Sequence, residues 1–372
     1  MRILLLSNSA WNIYNFRLGL IEALNDLGHE IFISSPLDEF VTRIPAENYK
    51  EFYPVKHLTA RGQNPIKDLS LIWELKQIFT YCNPELILLF TIKPNIYGGI
   101  VARFLEIPYV VNITGLGSQF TLHNRFGFIV QKLFLISLKK CKLALFHNQE
   151  DLDYFVDQKL LFPDRVSVVN GSGVDVIKFR SEPRKMKERL VFLFAGRLLR
   201  EKGLGEFMKA ANILKKENQA IDCHVLGPIE SIENDTDLKK EFDLARQNQD
   251  IFYFDGTHNV IPFLQAADVF VLPSYREGRS KAILEAMSMG LPIITCDVAG
   301  CRDVVVDGVN GYLVREQDPV GLYHAIAKMN SLSFEDRQQM GFYSRQFVMD
   351  KFEMSKVQNQ YIQALKKWKL IR

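Results

Sequence analysis

Short apolar runs alternate with segments of helical apolar spacing along the whole chain, and this alternation limits the fold more than any other feature. Arg2 to Ser7 reads as a buried strand. Asn15 to Gly28 carries Phe16, Leu20, Ala23, Leu24 and Leu27 at helical intervals, and His29 to Ser34 is the next strand, a βαβ unit. The scheme continues through Leu86 to Phe90, Asn95 to Phe104, Tyr109 to Ile113, Phe126 to Lys139, Leu143 to His147, Asp151 to Lys159 and Val166 to Val169. It then restarts with strands at Leu190 to Ala195, Asp222 to Leu226, Ile251 to Phe254, Val269 to Leu272 and Ile293 to Cys296, and with a helix over Gly203 to Lys216. Strands that alternate with helices imply a parallel sheet covered on both faces. Between the two series lies Asn170 to Lys187, rich first in turn formers and then in charge. Two doubly wound α/β domains facing across a cleft are therefore expected, over residues 1–172 and 173–354. An amphipathic terminal helix, about 355–372, is expected to pack back on the first of them.

Length supports two domains, because 372 residues exceed what one core usually organises. A net charge of +3 excludes no class of partner, and no nucleic-acid recognition motif is present. The five cysteines match no zinc or redox spacing and read as reduced core thiols. The start, M-R-I-L-L-L-S, reads as a first strand rather than a signal peptide. No apolar stretch reaches the roughly 20 residues of a spanning helix.

In open α/β sheets, ligands bind at the carboxyl ends of the strands, so the loops there carry the functional reading. Gly196 to Gly203 places Arg197 and Lys202 on such a loop. They form either a phosphate clamp or a solvated basic turn. Ser274 to Gly311 carries two glutamates, Glu277 and Glu285, with a helix starting near Ser280. The first amides of that helix suit an anion, and Arg279 and Lys281 beside them oppose the helix dipole unless an anion binds. Two D-x-D triplets, at Asp151 to Asp153 and Asp235 to Asp237, sit at helix starts, where aspartate is favoured with no metal present.

In combination, G-R-x-x-x-E-K-G at Gly196 to Gly203, A-A-D-V-F-V-L-P-S at Ala266 to Ser274, the Glu277/Glu285 pair, D-V-A-G-C-R-D-V-V at Asp297 to Val305 and N-G-S-G-V-D at Asn170 to Asp175 resemble glycosyltransferase family 4. Its members are retaining enzymes of the GT-B fold, which has two Rossmann-like domains. The resemblance implies a nucleotide-sugar site in the second domain and an acceptor site in the first. It gives Glu277 the donor sugar hydroxyls and Glu285 the ribose hydroxyls. Arg197 and Lys202 hold the leaving diphosphate, and Gly227 and Val260 border the base. Arg279, Ser280 and Lys281 replace the more apolar residues of many relatives and are added to the donor side. No metal and no cofactor are implied.

Two loops of the first domain follow strands and are expected on the acceptor side: Thr91 to Gly98, with Lys93 and Asn95, and Thr114 to Ser118, with Gly115 and Gly117. Many relatives place a histidine near the first, where this chain has Ile92 and Lys93. Ser9, on the first loop, is a further acceptor-side residue. From Ile107 to Gln149 there are basic residues, Arg125, Lys132, Lys139, Lys140 and Lys142, interleaved with Phe120, Phe126, Phe128, Phe134 and Phe146, and no acidic residue. That pattern fits either a helix lying on anionic lipid or a buried-face helix with a solvated basic side.

T-I-K-P-N-I-Y-G and T-G-L-G further resemble family members that transfer N-acetylhexosamines to polyprenyl-diphosphate-linked sugars in glycan assembly. The implied partners are a UDP-sugar, such a lipid-linked acceptor and the inner face of the cytoplasmic membrane, on which a cytoplasmic enzyme is peripheral. A sugar-nucleotide epimerase, a glycan phosphorylase and a non-catalytic sugar-nucleotide-binding scaffold remain the rival readings.

Overall fold

A computed structural model describes residues 1–58, 65–115 and 125–372, with the side chains of all but 65–67 and 125–130. The chain divides into two compact units, Met1–Gly173 with Met354–Arg372, and Val174–Glu353.

The first unit contains a parallel sheet in the order β3-β2-β1-β4-β5-β6-β7. Its strands are β1 (Arg2–Leu6), β2 (Glu30–Ser35), β3 (Glu51–Pro54), β4 (Leu86–Phe90), β5 (Tyr109–Ile113), β6 (Leu143–Phe146) and β7 (Val166–Val168). Central strands such as β4, Leu-Ile-Leu-Leu-Phe, are buried at every position, as a strand with helices on both faces must be. The helices are α1 (Ala10–Phe16), α2 (Leu18–Asp26), α3 (Pro65–Cys82), α4 (Gly99–Phe104), α5 (Arg125–Leu138) and α6 (Gln149–Asp157).

Two differences from the sequence expectation have local causes. Ser9 caps a helix that starts at Ala10, five residues before the expected start, and accepts from the Asn12 amide at 3.1 Å. The helix then breaks at Arg17, whose guanidinium turns inward to lie 4.3 Å over the Phe90 ring. Strand β3 and helix α3 fall in a stretch, Pro36 to Glu85, for which the sequence offered no element. Its edge strand Glu-Phe-Tyr-Pro is short, charged at one end and closed by proline, which suits an edge and hides the strand pattern.

The second unit repeats the architecture with the order β10-β9-β8-β11-β12-β13, again with parallel neighbours. Its strands are β8 (Leu190–Ala195), β9 (Ile221–Leu226), β10 (Phe252–Phe254), β11 (Val269–Leu272), β12 (Ile293–Cys296) and the unforeseen edge strand β13 (Gly311–Val314). Its helices are α7 (Leu204–Lys216), α8 (Thr236–Gln247), α9 (Ile261–Ala266), α10 (Lys281–Ser288), α11 (Pro319–Ser331) and α12 (Phe334–Lys351). Side-chain caps start several of these: Asp235 accepts from the Leu238 amide, Asp318 from that of Gly321 and Ser333 from that of Asp336.

The last helix, α13 (Met354–Lys367), returns to the first unit and lays Tyr361, Ile362 and Leu365 into the core that α2 shares with β1 and β4. Each unit thus has its own buried cluster of aliphatic and aromatic side chains. All five cysteines are buried and outside any disulfide.

Candidate active site

In the second unit the strand order reverses between β8 and β11, so the loops leaving those strands diverge and open a crevice at their carboxyl ends. These are the loops that carry Arg197, Lys202 and Glu277. The Lys202 ammonium donates to Glu277 Oε1, and the Ser274 hydroxyl donates to the same oxygen at 3.1 Å. Both partners are largely covered, with side-chain exposures of 17% for Lys202 and 12% for Glu277, so water screens the pair less than it would a surface bridge.

Backbone contacts fix the register of the two loops. The Tyr275 amide donates to the Glu201 carbonyl at 2.9 Å, and the Tyr275 hydroxyl donates to Glu206 on α7 at 2.7 Å. Gly203 has φ of 76°, and a Cβ there would stand 2.1 Å from the Pro273 carbonyl oxygen, so the approach of the loops requires glycine. Arg197 is exposed, and its guanidinium makes no hydrogen bond to another described residue. Arg200 binds Asp235 instead, at 3.1 and 3.2 Å, which ties the start of α8 to this loop and engages one D-x-D aspartate in capping. Asp151, of the other triplet, lies in the first turn of α6 and is bonded to the cap residue Asn148.

Glu285 lies on α10 with Lys281 Nζ 4.0 Å from its Oε1. Burial pushes its pKa up, against the lowering effect of Lys281 and Lys178. Ser280 is the buried N-cap of that helix, although its side chain makes no capping bond. Arg279 departs from the expectation of a donor-side residue. Its side chain is 5% exposed, pairs with Asp303 at 3.1 Å and lies 5.1 Å over the Phe352 ring, so it fastens the 300–305 loop to the core. The dipole conflict anticipated at this helix start is therefore met within the protein by Asp303. Gly227 follows β9, where a Cβ would meet the Gly196 carbonyl oxygen at 2.1 Å; Val260 caps α9 and packs on the core.

The first unit has its own reversal, between β1 and β4. After β4 the chain enters Pro94–Gly98 as a π-helical turn, a form that often marks functional positions, with Thr91 at φ of 74°. Lys93 donates to Asp68 at 3.2 Å, and the Tyr97 hydroxyl donates to the other oxygen of Asp68 at 2.8 Å. Asn95, expected to face the acceptor, is 2% exposed and donates to the Asn112 carbonyl at 2.8 Å; its place is the interior of the sheet. Ser9 is occupied as the α1 cap. Gly115 has φ of 132°, and Gly117 lies outside the described residues, as do Leu116, Ser118 and Phe120.

On α5 and just after it, Lys132, Lys139, Lys140 and Lys142 are exposed. The aromatic half of that pattern is corrected at two positions. Phe134 and Phe146 are 3% and 0% exposed and belong to the core, because each sits on the face its element turns to the sheet interior. The side chains of Arg125, Phe126 and Phe128 lie outside those described. No helix among the described residues is long and apolar enough to cross a membrane.

Residues 175–347 match the family model of glycosyl transferases group 1, and residues 2–148 match that of glycosyl transferase 4-like proteins. Over 283 residues, 72% of each chain, the protein is 30% identical to the Escherichia coli UDP-Gal:alpha-D-GlcNAc-diphosphoundecaprenol alpha-1,3-galactosyltransferase. The chain belongs to glycosyltransferase family 4. This glycosyltransferase is also 27% identical, over 91% of its length and 90% of the relative's, to the Campylobacter jejuni N,N'-diacetylbacillosaminyl-diphospho-undecaprenol alpha-1,3-N-acetylgalactosaminyltransferase. In fold it is similar to Anabaena HepE, a protein solved with UDP and glucose, at a TM-score of 0.80, 16% identity, and coverage of 98% of this chain and 99% of that one. The GT-B architecture expected from the motifs is the one observed.

Two partners of the glycosyltransferase's site escaped the sequence reading. Ser274 ends a run that was recognised, but its bond to Glu277 depends on how the loop closes. Asp68 lies on α3, in the stretch without a legible element.

Proposed function

We propose that this glycosyltransferase moves an N-acetylhexosamine from a UDP-sugar to a polyprenyl-diphosphate-linked sugar, with retention and without a metal ion. The observation that carries the reading is similarity over nine-tenths of the chain to the Campylobacter transferase, whose name states transfer of N-acetylgalactosamine to a diphospho-undecaprenol-linked sugar. The Escherichia coli relative, named for galactose transfer to a lipid acceptor of the same class, supports the acceptor chemistry. The arrangement at the β8/β11 reversal supports the donor chemistry. Glu277, held by Lys202 and Ser274, has lone pairs left for a sugar diol. Lys202 and exposed Arg197 offer cationic donors to a diphosphate, whose charge grows as the glycosidic bond breaks. Glu285 accepts ribose hydroxyls, and the acceptor binds at the carboxyl ends of β1, β4 and β5, where Lys93 supplies a cation.

The exposed lysines at 132, 139 and 140 then rest on the anionic inner face of the cytoplasmic membrane, which brings the enzyme to its lipid-linked acceptor. The deciding experiment incubates the purified protein with UDP-N-acetylgalactosamine, UDP-N-acetylglucosamine or UDP-galactose, with and without a synthetic polyprenyl-diphosphate sugar, in the presence of a chelator. Acceptor-dependent UDP release and an α-linked product support the reading. UDP release that ignores the acceptor, or binding with no turnover on any acceptor, overturns it.

A further inference from the structure

The second unit has a cavity of about 340 Å³ at the end of the sheet opposite the donor loops. Leu190, the first residue of β8, Asp268, just before β11, and Pro292, just before β12, mark it as lying at the amino-terminal edge. The six residues of β8 separate that edge from Lys202 and Glu277 by roughly 20 Å. Arg184, Lys185, Lys187, Arg337 and Arg345 line it, against Glu182 and Asp268, an excess of three positive charges.

Helix carboxyl ends meet here, and the arginines cap them. Arg184 donates to Leu264 and Gln265 at the end of α9, at 3.1 and 3.2 Å, and to Met289 after α10 at 3.4 Å. Arg345 donates to the Ser288 carbonyl and Arg337 to that of Leu332. These bonds are a structural reason for the cluster, but they leave donors unused. Arg184 Nε is buried with no partner among the described residues. Among the described residues, Arg337 and Arg345 each bond through one terminal nitrogen, and Lys185 has no side-chain partner. Three helix ends at about half a negative charge each remove no more than about half of the cationic excess. What remains is a concave, cationic wall with vacant N–H groups in forked guanidinium geometry, the chemistry that recognises phosphate oxygens. The volume is at the small end of ligand sites, which run from roughly 300 Å³ upward, and exceeds what a bare phosphate fills.

We propose that this cavity is a second, non-catalytic site that binds the phosphate group of a phosphate ester. The ester is either a soluble phosphorylated compound or the headgroup of an anionic phospholipid.

Two substitutions test this in the full-length protein without touching a capping arginine. Lys185→Glu reverses an exposed charge, and Gln338→Glu adds a carboxylate to the lining of the cavity. Lys240→Glu, on the exposed face of α8, is the control. Inorganic phosphate is titrated calorimetrically at constant ionic strength, and sedimentation is measured with phosphatidylglycerol against phosphatidylcholine vesicles. Each cavity variant is expected to weaken phosphate binding or phosphatidylglycerol retention by about tenfold, with the thermal midpoint, UDP binding and the control unchanged. Loss in the phosphate arm identifies a soluble ester, and loss in the vesicle arm alone identifies a headgroup. If both arms are the same for the parent protein and the two variants, or the parent binds neither probe, the site does not exist.

Discussion

Glu285 is a carboxylate in the wrong surroundings for an unliganded protein, because burial raises its pKa above the ordinary 4.5 despite Lys281 nearby. The sign follows from linkage. Below the unfolded value both states hold the proton and the residue costs nothing; as pH rises past that value the unfolded chain ionises more readily, and stability is lost until the folded group ionises too. Glu285→Gln is therefore expected to raise the thermal midpoint at neutral pH, with the gain shrinking toward pH 4.5, while UDP-sugar affinity falls. A gain that is the same at every pH would contradict this. At the neighbouring pair, Lys202→Ala should lower turnover by about 1–3 kcal/mol, roughly tenfold to a hundredfold, if the ammonium meets charge that develops on the leaving diphosphate. Steady-state kinetics decide it, and an unchanged kcat sinks the assignment. Residue types at these positions were legible because they fall within motifs that resemble the family's, since a basic turn after a strand by itself fits a solvated loop equally well. Their contacts were not, and Arg279 is the instructive miss: its charge was visible, but the partner that consumes it, Asp303, is brought in by the loop after β12.

Among the elements, the loop that leads into α7 joins a left-handed glycine to a close backbone approach. At Gly203 a side chain would combine a left-handed backbone with a 2.1 Å approach to the Pro273 carbonyl, whereas Gly308 has nearly the same φ, 75°, with nothing within 4 Å. Gly308→Ala should cost about 1–2 kcal/mol from backbone strain alone. Gly203→Ala should cost more than that, because the β8 and β11 loops must separate, and it should also weaken donor binding. Urea unfolding of the two variants compares them, and equal costs would show that loop contact adds nothing. Central strands and the helix after Gly203 could be read from the chain, since a run such as Leu-Ile-Leu-Leu-Phe and a regular helical spacing have strong local preferences. Edge strands β3 and β13 could not, because an edge needs little apolar content and takes its shape from the neighbour it pairs with.

Across the whole molecule, the last helix closes the first unit. The Tyr361 hydroxyl donates to Asn112 Oδ1 at 2.8 Å, and the Asn112 amide donates to the Leu89 carbonyl at 2.9 Å, so α13 is hydrogen-bonded into the sheet through a buried asparagine. Tyr361→Phe leaves that oxygen without its donor and should cost about 1–3 kcal/mol. The loss should fall on the first unit, with hydrogen exchange faster in β4 and β5 and unchanged in β8 and β11. Uniform acceleration across both units would mean that they unfold as one.

The sequence by itself determined the α/β class, the restart of the scheme after Asn170 to Lys187, the family and the residue types at the β8/β11 reversal. The class and the restart rest on apolar runs and helical spacing, whereas the family rests on the resemblance of its combined motifs, from Gly196 to Gly203 through Asp297 to Val305. Only the tertiary structure decided which charges meet. It put Lys202 on Glu277, turned Arg279 and Asn95 inward, sent Phe134 and Phe146 into the core, and gathered three arginines from distant stretches at the far edge of the second sheet. The physical reason is that a side chain's spacing fixes the face it takes on its own element, whereas its partner is set by long-range closure of loops that carry no periodic signal.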